Sequence, residues 1–216
     1  MKSEEKPLLI LGTGTFASEV ADIVSETPGY RLAGFVENMD PAKCEGTLEG
    51  LPVYWIDDSA HLAGTHYAIC ALGTTKRVRF IDQAKKAGFR FATLIHPTVR
   101  ISATSSVGEG SIVNAGTVVA SHAHIGKHVI LNRGVLIGHH TRIDDCCRIS
   151  PGANIAGCCT IGKTVYIGMS AIVLDHKTVG DASVIGAGAV ATKDIPGHVE
   201  AVGIPARIVK ENITGR

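Results

Sequence analysis

The sequence predicts a mixed fold: a small Rossmann-like α/β domain over residues 1–95, followed over 96–216 by a parallel β-helix that ends in a short C-terminal segment. Three observations carry this. An aliphatic residue recurs at every sixth position from Ile101 to Ile185. Strand-like and helix-like segments alternate before that run begins. The composition is that of a folded chain, with 216 residues, 45% of them hydrophobic and 19% charged, and a formal net charge of +1.

The N-terminal elements follow from their patterns. "PLLILG" is a short buried strand that runs into "GTGTFASEVADIV", a glycine turn feeding a helix. "YRLAGFVE" and "HYAICALG" are two further strands, "TTKRVRFIDQAKKAG" is helical, and "FRFATLIH" is a last strand. Alternation of this kind makes a small parallel sheet. Ligands on such sheets sit at the carboxyl ends of the strands. This points to Gly12, Gly14, Thr15 and Phe16 in the first turn, to Glu37 and Asn38 after the second strand, and to Gly73 after the third. The run Gly12 to Ala17 satisfies the dinucleotide pattern G-x-G-x-x-A, and Glu37 stands where a ribose-binding acid would be. About three βα units are half of a full dinucleotide-binding sheet, so the sharper expectation is a phosphate or nucleotide-sugar held by amides at a helix N-terminus.

A period of six matches neither a helix nor simple strand alternation, and it marks stacked hexapeptides with tight turns between short strands. Three hexapeptides form one triangular coil, so the fifteen aliphatic positions predict about five coils with an aliphatic ladder inside. Two positions before each aliphatic the side chain is often small, and Cys147 and Cys159 take that place as compact core residues. Adjacent pairs such as Cys146/Cys147 lack metal-ligand spacing, and reduced thiols are expected. No long basic block provides the footprint that nucleic-acid binding needs. The start "MKSEEKPLLILG" is not a signal peptide, and no apolar span reaches membrane length, so a cytoplasmic protein is expected.

The α/β domain, the uninterrupted hexapeptide run and the ending "VGIPARIVK" (202–210) together resemble the bacterial nucleotide-4-amino-sugar N-acetyltransferases and the related sialic acid O-acetyltransferases, over essentially the whole chain. The resemblance implies a left-handed β-helix, a homotrimer, acetyl-CoA as the donor lying between neighbouring β-helices, and no metal. In that family an Asn in "ILN" precedes a catalytic His by seven residues, and an acid follows the His. Here "VILNRGVLIGHH" puts Asn132 and His139 at those places and His140 at the acid's. Arg148 stands where relatives often have a second, donor-contacting His, while Gly157, Gly168, Met169 and Ala187 match positions that hold the donor. Phe16 replaces a His, and Glu37 and Asn38 replace one or two aspartates.

Acetyl transfer from a thioester to an amine needs a neutral nucleophile, and an imidazole can take the proton. His139 is the expected base. His140 is its orienting partner, or else a surface residue that leaves orientation to Asp144, to Asp145 or to a main-chain carbonyl. The two side chains are expected to diverge, and a purely structural turn role for both is the bland alternative. His122, His124 and His128 are expected at the solvated surface rather than as a metal cluster. The leading expectation is acetyl-CoA-dependent N-acetylation of a nucleotide-linked amino sugar. Its competitors are O-acetylation of a sugar hydroxyl, a catalytically silent binding or scaffold β-helix, and, on the glycine motif alone, a nicotinamide-dependent oxidoreductase.

Overall fold

The computed structural model describes residues 5–216. These fall into two compact units, one of residues up to 73 with 77–94, the other of 74–76 with 95–216.

In the first unit the chain runs β1 (Lys6–Leu11), α1 (Thr15–Glu26), β2 (Tyr30–Glu37), β3 (Thr47–Leu48), β4 (Leu51–Trp55), β5 (Tyr67–Cys70), α2 (Val78–Lys86) and β6 (Arg90–Phe91). The sheet order is β3-β4-β2-β1-β5-β6, parallel except for the two-residue β3. Leu8 to Leu11 are fully buried, as a continuous apolar run in a sheet covered on both faces requires. α1 packs Ala17, Val20, Ile23 and Val24 inward, and α2 does the same with Phe80, Ile81 and Ala84. Sequence order proceeds from β1 to β2 and β4 on one side and resumes at β5 on the other. The topological switch point, where ligands of open α/β sheets bind, therefore lies between β1 and β5.

Two elements differ from expectation. β4 escapes the pattern because Pro52 interrupts its run, and proline is confined to sheet margins; here the outer neighbour is only β3. The expected single strand over 89–96 is two, because its amides find different partners: Ala92 N–H donates to the Ala68 carbonyl at 2.9 Å and His96 N–H to the Val113 carbonyl at 3.0 Å.

The second unit is a left-handed parallel β-helix of two-residue strands whose partners stand eighteen residues apart, such as Ile125 with Val107 and Ile143. The ladder positions fill a single apolar core, and only Ile101 and Val107 in the first coil are incompletely buried. The small inward residues also bond: the hydroxyls of Ser105, Ser111, Thr117 and Thr141 each donate to a carbonyl fifteen residues on, at 2.6–3.0 Å. Cys147 and Cys159 substitute for them, their thiols reaching the Gly162 and Leu174 carbonyls at 2.8 and 3.1 Å. Burial pushes the Cys159 thiol above its ordinary pKa, which suits a core residue and not a nucleophile.

The three faces of the coil differ outward. Ser106, His124, Arg142, Thr160 and Thr178 make a polar face. Val118, Leu136, Asn154, Ile172 and Val190 make an apolar one, with Leu136 43% exposed. On the third, Tyr166 and Val184 are buried, and the Arg216 guanidinium lies 4.5 Å from the Tyr166 ring. The hairpin Glu200–Val202 with Arg207–Lys210, which contains the "GIPAR" turn, closes the end of this third sheet.

Candidate active site

Each hexapeptide turn needs one residue in the left-handed region, and from Gly110 to Gly188 every sixth residue takes it, at φ between 53° and 77°. Glycine fills some of these positions, but His122, His128, His140 and His176 fill four others, consistent with the tolerance of histidine for this conformation. His140, at φ 57°, is thereby turned back on its neighbour. Its Nδ1 lies 3.1 Å from the Nδ1 of His139, with the rings nearly perpendicular at 84°. The expectation that these side chains diverge is corrected: strand alternation does not extend through a left-handed turn. One nitrogen of the pair must donate and the other accept. The opposite edge of the His139 ring lies over Gly157, one coil on, where an added Cβ would stand 2.8 Å from Nε2 and from Cε1. Both histidines are exposed.

The remaining residues assigned from sequence are distributed differently. Gly168, Met169 and Ala187 line the other edge of the apolar face, the corner between that face and the third; Met169 is 56% exposed there. Gly168 admits no side chain, since a Cβ would meet the Ala187 amide at 2.5 Å. Asn132 occupies that same corner but is 2% exposed, and its side-chain amide donates to the Ile149 carbonyl at 3.2 Å. That bond ties its side chain to the next coil of the turn. Arg148 sits on the third face with its guanidinium 6.0 Å from the Tyr166 ring, on neither edge of the apolar face. Asp144 and Asp145 do not orient His139. Asp144 accepts from Arg142 Nε at 2.8 Å and Asp145 from the Lys127 amide at 2.7 Å, at the third corner of the coil.

In the first unit, Gly12 has φ 118°, and a Cβ would stand 2.9 Å from Leu72 Cδ2, so a glycine is required where β1 and β5 adjoin. Gly14 caps α1 without a side-chain hydrogen bond and has open space above it, so the amides of Thr15 and Phe16 begin the helix beneath a clear surface. Glu37 closes the end of the second strand. Its carboxylate is 5% exposed and already engaged. Oε1 accepts from the Asn38 and Met39 amides at 2.9 and 2.8 Å, and Oε2 from the Thr13 hydroxyl and from Lys43 Nζ at 3.4 Å. Burial alone would raise its pKa, but these bonds and the Lys43 charge outweigh it and hold the carboxyl below its ordinary value. Asn38 donates from Nδ2 to Gln83 at 2.6 Å. Thr13, Lys43, Leu48 and Val53 line a cavity of about 270 Å³ beside this carboxylate. Thr13 belongs to the glycine turn read from the sequence, whereas only proximity to Glu37 in three dimensions singles out Lys43. Gly73 lies beyond the end of β5, on the other side of β1, and is not among the residues that line this cavity.

His122 is exposed, as expected, and its ring also lies against that of His140, with centroids 4.8 Å apart and the planes tilted by 40°. His128 is 4% exposed, not solvated, since its imidazole lies against Gly110, where an added Cβ would fall 2.1 Å from Nδ1. His124, like His122, is a surface residue, bonded to the Ser106 hydroxyl at 2.7 Å. Among the described residues no group of three or more His, Cys, Asp or Glu is placed to hold a metal ion, and no helix is long and apolar enough to cross a membrane.

Comparison with known proteins agrees with this architecture. The PglD N-terminal domain model matches residues 7–91. The structure is similar to that of perosamine N-acetyltransferase from Caulobacter crescentus, solved in complex with CoA and GDP-perosamine, at 28% identity and a TM-score of 0.88, covering 95% of this chain and 97% of that one. It is similar to the acetyltransferase domain of PglB from Neisseria gonorrhoeae at 29% identity and a TM-score of 0.85, covering 95% and 100%. WeeI from Acinetobacter baumannii matches at 26% identity and a TM-score of 0.85, covering 94% and 100%. Among curated proteins, the galactoside O-acetyltransferase of Escherichia coli is 50% identical over 52 residues, a stretch that spans 26% of that relative and 24% of this chain. With the first domain matched by that model and both domains matched together by solved acetyltransferases at 26–29% identity, the comparisons support a nucleotide-sugar acetyltransferase family.

Proposed function

We propose that the protein transfers the acetyl group of acetyl-CoA to the amino group of a nucleotide-linked 4-amino sugar, with His139 as general base. The observation that carries this reading is the His139–His140 contact. The two Nδ1 atoms lie 3.1 Å apart, so one must donate to the other; in this reading His139 Nδ1 is the donor, which leaves its Nε2 as the basic atom. The whole-chain similarity to an enzyme solved with CoA and GDP-perosamine supports the donor and the acceptor class.

The chemistry balances as follows. The acceptor amine, neutral after losing its ammonium proton to solvent, attacks the thioester carbonyl, and an N–C bond forms. His139 Nε2 takes the second proton as nitrogen acquires its amide character. Collapse breaks the C–S bond, and His139 returns that proton to the departing thiolate, giving the amide and free CoA. A base so placed contributes about 10²–10⁴ in rate. In the first unit, the clear helix start at Gly14 to Phe16 suits the diphosphate, and the cavity lined by Thr13 and Lys43 suits the remainder of the nucleotide.

His139 and the donor-holding residues Gly168, Met169 and Ala187 lie on opposite edges of one apolar face. A second copy packed on Val118, Leu136 and Ile172 would bring one edge of each chain to the other, which supports the homotrimer, with the site completed between subunits. Acetyl-CoA is a metabolite of the cytoplasm, and that is the location we assign.

The test is thiol release from acetyl-CoA with UDP-, dTDP- and GDP-linked 4-amino sugars and with sialic acid. Turnover on an amino sugar that falls by about 10²-fold or more in His139→Ala is expected. Turnover on sialic acid alone would move the assignment to O-acetylation, and release that survives His139→Ala would remove the base.

A further inference from the structure

We propose that His122 is a positioning residue for this chemistry: its ring, stacked on His140, keeps the His140 Nδ1 lone pair aimed at His139. The inference rests on the transferase reading above and concerns a residue eighteen positions before His140. Both sit at the left-handed place of successive coils, at φ 56° and 57°, so their side chains leave the backbone in the same direction. The rings meet at 4.8 Å between centroids with a 40° tilt, while His139 approaches His140 edge-on, at 84° and 5.3 Å.

A carboxylate offers two oxygens and accepts over a wide range of angles; a neutral imidazole accepts at one atom, in the ring plane. A small rotation of the exposed His140 ring therefore breaks its bond to His139, and a ring packed on its face opposes that rotation. The titratable groups around His140 are His139 from its own turn, His122 from the preceding coil, and Cys158 at the same place in the following coil. Two coils on, Asp175 lies 3.9 Å from His176.

The test compares His122→Asn, which keeps the left-handed backbone, and His122→Phe, which keeps a ring face, in the wild-type chain, and repeats His122→Asn in a His140→Asp background. In the wild-type chain His122→Asn is expected to lower kcat about tenfold with KM for both substrates unchanged, and His122→Phe to stay within about threefold. In the His140→Asp background, where a carboxylate needs no stacked ring, His122→Asn is expected to change kcat by less than about twofold. An equal loss in both backgrounds, a tenfold loss in His122→Phe, or no loss in His122→Asn would each overturn the proposal. Nitrogen-15 imidazole spectra give a readout that needs no substrate. A bare, accepting His140 Nδ1 in the wild type should lose that signature in His122→Asn, and identical spectra would refute the inference. If the wild type released CoA with no amino sugar, the transferase reading would fail while the spectra still decided the role of His122.

Discussion

Gly157→Ala places one methyl group against the Nε2 edge of His139, the edge proposed above to act as the base. The added Cβ would stand 2.8 Å from Nε2 and Cε1 and 3.2 Å from Cδ2. Relaxed contact requires about 3.5 Å, so the ring must retreat by about 0.7 Å. Displacement on that scale lowers the rate by about 10- to 100-fold, or roughly 1.4–2.7 kcal/mol in the barrier. Gly157 lies outside the left-handed region, so the backbone accepts alanine, and the exposed His139 ring can swing toward solvent. The stability cost is therefore on the order of 1 kcal/mol or less. Steady-state thiol release read against thermal unfolding separates the two effects. The expected result is a kcat deficit with nearly unchanged melting temperature and unchanged KM for the amino sugar. A kcat within about threefold of wild type would refute the placement of the ring over Gly157. A rise confined to the KM for acetyl-CoA would show that the methyl group obstructs the donor instead.

Three other perturbations test separate parts of the structure. Ile155→Ala removes a fully buried ladder residue and should cost about 2–5 kcal/mol, measured as a lower urea midpoint. Glu37→Gln bears on pH: because the folded carboxyl is held below its ordinary pKa, its stabilisation is complete above about pH 5 and is lost as pH falls through the depressed value. The melting-temperature gap between wild type and Glu37→Gln should therefore be widest near neutrality and close in acid. Leu136→Glu puts a carboxylate into the middle of the apolar face and should dissociate the proposed trimer in sedimentation velocity, with activity lost alongside.

The β-helix was legible because a single rule, an aliphatic at each sixth residue, repeats from Ile101 to Ile185 and every coil obeys it. β4 was not, because Leu51-Pro52-Val53 reads as an interrupted strand, and only its place beside β2, with Phe35 opposite Val53, makes it one. In the site, the approach of His139 to its partner was hidden by the backbone sign at His140, which no side-chain pattern announces. Glu37 was found for its spacing, but its burial and its bonds to Thr13 and Lys43 depend on a loop whose course the spacing does not fix. The burial of Asn132 was hidden for a related reason: it shares its inward corner with Asn114 one coil earlier, which is also buried.

These cases share a geometry that makes the second unit readable in another way. In a coil of eighteen residues the neighbours of a turn residue are the residues eighteen before and eighteen after it, so the environment of a site is written at fixed distance along the chain. For His139 those neighbours are Ser121 and Gly157, and the glycine is what leaves room for the imidazole. For His140 they are His122 and Cys158, and the first of these supplies the stacked ring. In the proposed mechanism the missing acid after the base is therefore compensated from two directions, a left-handed turn that reverses His140 and a second imidazole one coil away. A sequence scan that looked only at adjacent positions would register His140 as the loss of an acid, whereas a scan at intervals of eighteen finds the group that makes an imidazole workable there.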